Sequence, residues 1–269
     1  MSQEQMNQEN MSQEYTDREK MSREYTEQEN VNQEYAEQEK AGQEQVNKEQ
    51  ENWKPMSQIE RRDRELPYIS DQSIFEQQKP ARMLTQKLNT VDRSDFGAIS
   101  ALVRELFGKS EGAFVNPPFY CDYGFNIEVG KNFFANYNCT ILDVAKVVIG
   151  DNCQLAPNVA IYTAGHPVHP DTRNSAYEYG IRVTIGDNCW IGGNSVICPG
   201  VTIGNNVVIG AGSVVTKDIP DWSIAAGNPC RVIRKITEAD RKKYYKDREF
   251  DEEAWRHVVE MGWGGNDGD

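Results

Sequence analysis

Residues 185–214 read IGDNCW (185–190), IGGNSV (191–196), ICPGVT (197–202), IGNNVV (203–208) and IGAGSV (209–214), and Val215 opens a further unit. An aliphatic residue returns every sixth position. Extended backwards in the same phase, the grid takes in Ile149, Leu155 and Ile161, so nine of nine positions are Ile, Leu or Val. Neither a 3.6-residue helix nor an alternating strand produces a period of six. The residues between are Gly, Asp, Asn and Ala, which suit tight corners with permissive backbone angles. One aliphatic per hexad then points inward. Three hexads make a triangular coil, and each coil stacks on the last at strand spacing. The chain is therefore mainly β, a parallel solenoid.

Two irregularities interrupt the grid. Cys121, Ile127, Phe133 and Cys139 share a different phase, so the first coil is distorted around residues 140–148. Between Ile161 and Ile185 the residues TAGHPVHPDTRNSAYEYG ignore the repeat, and the grid resumes in phase beyond them. Such an excursion is a loop on a rigid scaffold, a common location for functional groups. This loop, 162–180, carries two of the three histidines.

The flanks differ in character. Residues 1–50 form five Gln/Glu-rich decapeptides, a period that fits neither a coiled-coil seam nor a strand. They hold too little apolar surface to offset ordering entropy, so residues 1–60 read as a disordered tail. That tail carries 6 Lys/Arg against 15 Asp/Glu, a net of −9 out of −13 for the chain. The acidity thus belongs to the tail, and no cationic cluster points to nucleic acid. Residues 61–110 read as a small helical subdomain. Pro80 is expected to interrupt or begin a helix, and Asp95 caps a stripe of Phe96, Ile99, Leu102, Val103, Leu106 and Phe107, closed by Gly108. The solenoid occupies 111–234. Residues 235–269 form a C-terminal tail in which Thr237 is expected to cap a helix through Glu238, Arg241 and Tyr245. Residues 251–260 form another helix, and the GGNDGD end frays. No segment has the apolar length to span a bilayer, and no signal peptide opens the sequence. The six cysteines show no metal-ligand spacing. They read as reduced, mostly buried thiols of a cytoplasmic protein.

The segments PPFYCDYGFNIEVGKNFFANYNCTILDVA, IYTAGHPVHPDTRNSAYEYG and GAGSVVTKDIPDWSIAAGNPCRVIRKI resemble the maltose/galactoside O-acetyltransferase family, nearly continuously over residues 117–235. The resemblance implies a left-handed β-helix with a helical acceptor-side segment. It also implies a homotrimer with active sites between neighbouring solenoids, and transfer of acetyl from acetyl-coenzyme A to a sugar hydroxyl. His166, in Ala164-Gly165-His166-Pro167, occupies the family's catalytic position. Transacetylation needs a base that takes the hydroxyl proton during attack on the thioester, and imidazole as a class is suited to that near neutral pH. Taken alone, His166 reads equally as an ordinary loop histidine. His169 completes an HPVH spacing, but a metal needs three or four ligands and His257 lies in the tail. No metal is expected, and a β-helical zinc enzyme is disfavoured.

Asn136 matches the family's active-site asparagine, whereas Asn138 reads as a corner residue. Asp122 and Glu178 match acceptor-contacting positions of the maltose branch. Either could instead be a solvated rim. On the coenzyme side the resemblance marks Trp190, Gly193, Ala211 and Gly212 along a pantetheine groove. It also marks Thr216, Lys217, Arg231 and Arg234, whose cations suit phosphates. Two alternatives stand beside sugar acetylation: an amine, serine or xenobiotic acceptor, and a non-catalytic β-helix scaffold.

Overall fold

The computed structural model describes Gln38, Lys40 and residues 55–262. The decapeptide tail and the GGNDGD end lie almost wholly outside these residues. The chain divides into Met1–Met56 and Ser57–Asp269, and the features below belong to the second unit. Its centre is a left-handed β-helix with three faces. One face stacks Phe119–Cys121, Cys139–Leu142, Ala160–Tyr162, Val196–Ile197 and Val214–Val215. A second runs from Lys109–Glu111 to Thr202–Ile203. The third runs from Phe114–Val115 to Ser223–Ala226 and is closed by the antiparallel edge strand Arg231–Lys235. Ile185 pairs with Ile203, Ile191 with Ile209 and Ile197 with Val215, so one coil is 18 residues, as three hexads require.

The hexads point two side chains inward, where the sequence reading expected one. Besides the aliphatic grid, the residues two positions earlier are buried: Val147, Cys153, Val159, Val183, Cys189, Ser195, Val201, Val207 and Ser213. Each short strand presents alternate residues to the same side, so positions i and i−2 both enter the prism. The odd phase of Ile127, Phe133 and Cys139 is this second inward position. Two extra residues at the corner after Leu142 separate the two series, since Ile141 and Ile149 are the corresponding inward residues. Cys153 and Cys189 spend their thiols on the carbonyls of Gly186 and Gly204, at 3.0 and 3.1 Å.

One corner explains the Gly-Asp-Asn spelling. Asp151, Asp187, Asn205 and Asp221 each accept, through Oδ1, the backbone N–H of the residue stacked one coil earlier, at 2.8–2.9 Å. That oxygen fills the space a Cβ would need at Gly130, Gly150, Gly186 and Gly204. Next to them Asn132, Asn152, Asn188 and Asn206 adopt positive φ and pass side-chain hydrogen bonds up the stack at 2.9–3.0 Å.

Helices cover the start of the solenoid. Helix α1 (Gln58–Asp63) is opened by a Ser57/Glu60 capping box. Helix α2 spans Gln72–Thr90 without a break, contrary to the expectation for Pro80. Its buried face is Ile74, Ala81, Thr85 and Leu88, whereas Pro80 is exposed, so the Glu76 carbonyl it leaves without an N–H partner can meet water. Helix α3 (Phe96–Leu106) starts at the Asp95 cap and buries Ile99, Val103 and Leu106, as expected. Asn89 brackets the edge strand, accepting from Phe119 N at 2.8 Å and donating to Phe119 O at 3.0 Å.

The C-terminal reading needs correction. Thr237 leads only a 3₁₀ turn at Glu238–Asp240, followed by a hairpin of Lys243–Tyr245 with Arg248–Glu249. Arg234 holds Asp240 through two bonds of 2.7 and 2.8 Å and so fixes the turn. The expected helix at 251–260 is present at Glu252–Glu260, with Asp251 as its cap. Among the described residues, no helix is long and apolar enough to cross a membrane.

Candidate active site

The 162–180 loop is a built structure. Thr163 is fully buried, and its hydroxyl accepts from Ala145 N at 2.9 Å and donates to Leu142 O at 2.7 Å, anchoring the exit from the coil. Ala164–Gly165 then pairs antiparallel with Tyr177–Gly180, which pairs in turn with Tyr68–Ile69 ahead of α2. This three-stranded sheet brings the N-terminal segment against the loop, and Ser70 Oγ donates to Glu178 Oε1. The Tyr179 ring lies where Gly165 would carry a Cβ, which accounts for a glycine immediately before His166. His166 follows this strand and is exposed. His169 is the cap of a short helix α4 (Pro170–Asn174): its Nδ1 accepts from Asp171 N at 3.2 Å. Among the described residues, no group of three or more His, Cys, Asp or Glu is placed to hold a metal ion.

Below the loop lies a carboxylate that the sequence reading passed over. Asp143 sits in the two-residue insertion and is fully buried. Its Oδ1 accepts from Asp122 N and Tyr123 N, both at 2.9 Å, while Oδ2 is buried without a partner among the described residues. Burial raises its pKa despite those backbone donors. Asp122, half-buried, is pushed up to about 6 by burial, by Asp143 and by Glu178, with Arg82 opposing. Burial, and then the Glu178 charge, also raises the Tyr68 phenol. The only sequence signal for Asp143 was the distortion around residues 140–148.

The candidate residues fall on two different edges of the prism. Asp122, Asp143 and the base of the loop occupy the edge that follows the Phe119–Cys121 face, and Thr216 and Lys217 continue that edge after Val214–Val215. Asn136 occupies the preceding edge, where Asn136 N bonds Leu155 O, Ala156 N bonds Ile191 O and Gly192 N bonds Ile209 O. Gly193 and Gly212 stack there, joined at 2.8 Å, with Ala211 exposed beside them. Trp190, 55% exposed, lies on the face leading to that edge. Cys230 N bonds Val214 O, which sets Arg231 at the upper end of the same edge. Within one chain, Asn136 thus lies on a different edge from Asp122, Glu178 and His166. The backbone also separates Asn136 from Asn138, for only Asn138 has positive φ, at 61°. Arg234 is committed to Asp240, whose carboxyl this pairing lowers to about 2. The outer side of the face that carries Trp190 is mostly apolar: Phe114 stacks on Phe134 at 6.3 Å, Phe96 meets Phe114 edge-on, Gln154 interrupts the row, and Val208 and Ile224 continue it beyond Trp190.

Each of these coils is three hexads, the unit from which a hexapeptide-repeat family takes its name. The family model for the bacterial transferase hexapeptide (six repeats) matches residues 182–217. Galactoside O-acetyltransferase of Escherichia coli is 49% identical over 177 residues, 65% of this chain and 87% of that protein. A maltose O-acetyltransferase from Clostridium difficile superposes with a TM-score of 0.67 at 50% identity, over 69% of this chain and all of that one. A galactoside acetyltransferase in complex with coenzyme A gives 0.71 at 44% identity, over 73% of this chain and all of that one. The chain belongs to the galactoside/maltose O-acetyltransferase family and is an acyltransferase.

Proposed function

We propose that the protein transfers acetyl from acetyl-coenzyme A to a sugar hydroxyl, at sites built between neighbouring solenoids of a cytoplasmic homotrimer. The observation that carries this reading is the division of the candidate residues between two prism edges. The His166 loop with Asp122 lies on one edge, and Asn136, Gly193, Ala211 and Arg231 on another. Two copies placed edge to edge complete the set that one copy splits. Phe96 and Trp190, both exposed, with the half-buried Phe114, Phe134, Val208 and Ile224 beside them, supply an apolar surface for such contact.

In this reading the acceptor hydroxyl lies against Asp122 and Glu178 of one chain, with Asn136 of the neighbour fixing the attacking oxygen. The His166 imidazole accepts the hydroxyl proton as that oxygen bonds to the thioester carbonyl carbon. Collapse of the tetrahedral intermediate breaks the carbon–sulfur bond, and the departing thiolate takes the proton back from the imidazolium. A backbone N–H on the glycine-rich edge stabilises the oxyanion. Direct transfer fits the cysteines, whose thiols are buried or half-buried, several with raised pKa. Trp190 covers the thioester end, and Gly193, Ala211 and Gly212 admit the pantetheine arm close to the backbone. Thr216, Lys217 and Arg231 meet the phosphates, while Arg234, its charge offset by Asp240, contributes less. No metal takes part.

The test is thiol release from acetyl-coenzyme A with glucose, maltose, a galactoside, serine and an amine as acceptors. Sugar-dependent release should fall roughly 10²–10⁴-fold in His166→Ala. Near-normal turnover in that variant with folding intact would remove His166 from the mechanism, and turnover confined to serine or the amine would reassign the acceptor.

A further inference from the structure

A cavity of about 460 Å³ lies between α2 and the first two coils, within the roughly 300–1,000 Å³ of small-molecule sites. Arg82, Gln86, Tyr120 and Asp122 line it. Thr85 and Asn89 also line it, but their side chains are spent on Ala81 O and on the Phe119 backbone. Arg82, Gln86, Tyr120 and Asp122 present polar atoms without satisfying one another. Arg82 bonds only Gln78 Oε1, at 3.1 Å, among the described residues. Arg82 is close enough to act electrostatically on Asp122, yet no ion pair within 4.0 Å joins them. The Tyr120 ring is 51% exposed beside them. A fork of N–H donors, an amide, a carboxylate and an open aromatic face around one space match a ring of hydroxyl groups with an apolar flank.

Asp122 links this cavity to the acceptor end of the site. We infer that the cavity is a subsite for a second sugar ring, so that the acceptor is an oligosaccharide acetylated on one unit and held by the next. The inference rests on the sugar O-acetyltransferase reading and deepens it. Arg82 and Tyr120 act here as specificity determinants. They lie on α2 and on the first face, outside the loop that carries His166.

The experiment is the kcat/KM of glucose, maltose and maltotriose for wild type, Arg82→Ala and Tyr120→Ala, with folding checked by urea midpoint. Wild type should favour maltose over glucose by about tenfold, the factor that 1.4 kcal/mol supplies. Each variant should reduce that ratio toward one, chiefly through the KM for maltose, with maltotriose following maltose. A wild-type ratio near one, or a ratio unchanged in both variants while sugars are still acetylated, overturns the subsite alone. Absence of acetylation with all three sugars overturns the underlying reading together with it.

Discussion

Replacing Asp122 by Asn should stabilise the protein, and only above a defined pH. Asp122 has a folded-state pKa of about 6 against an ordinary 3.8, because burial and Asp143 disfavour its charge. A carboxyl raised in this way binds its proton more tightly in the native than in the unfolded chain. Its contribution is therefore neutral below about pH 3.8, becomes unfavourable as pH rises through the window from 3.8 to 6, and stays constant above it. At 1.36 kcal/mol per pH unit the full window amounts to about 3 kcal/mol, an upper bound because the side chain is only half-buried. The substituted amide carries no charge at any pH, and the variant keeps the backbone N–H that Asp143 accepts. Urea unfolding of wild type and Asp122→Asn at pH 4 and pH 8, at fixed protomer concentration, measures the difference. The variant should gain roughly 1–3 kcal/mol over wild type at pH 8 relative to pH 4. An equal offset at both pH values, or a loss at pH 8, would refute the argument that Asp122 is held as a strained anion.

Ile191→Ala empties a fully buried position in the middle of the prism and should cost about 2–5 kcal/mol, read as a shift in urea midpoint with the slope unchanged. Because Arg234 is already paired with Asp240, Arg234→Ala should raise the KM for acetyl-coenzyme A less than Arg231→Ala does, in steady-state kinetics with the coenzyme varied.

The solenoid was legible because packing imposes its period. Ile185, Ile191 and Ile197 fill equivalent slots, and no other regular structure spaces such slots six apart. The companion slot was obscured by its chemistry. Cys189, Ser195 and Ser213 are small and polarisable or polar, and they count as interior only once the Gly204 and Gly210 carbonyls are seen to receive their S–H and O–H groups. Pro80 misled because local preference was read without knowing which face of α2 meets solvent. Of the site, His166 and Asn136 were marked by motif context. Asp143 was not, since its significance depends on contacts with Asp122 and Tyr123, 20 or 21 residues away in sequence. The pairing of Tyr68–Ile69 with Tyr177–Gly180 was equally invisible, for two-residue strands leave no periodic trace.

The ladder of Asp151, Asp187, Asn205 and Asp221 makes the corner of each coil a key cut for the coil before it. The carboxylate or amide of one coil occupies the gap left by the glycine of another, so the match belongs to the pair rather than to either residue. The match does not depend on how much chain lies between: successive keys are 36, 18 and 16 residues apart and each still meets its glycine, because extra or missing residues are taken up elsewhere in the coil. The solenoid can thus change height by whole coils while its width and its edges stay fixed. The edge that carries Gly193, Ala211 and Gly212 would lengthen or shorten with it, one coil at a time, without any change to the wall.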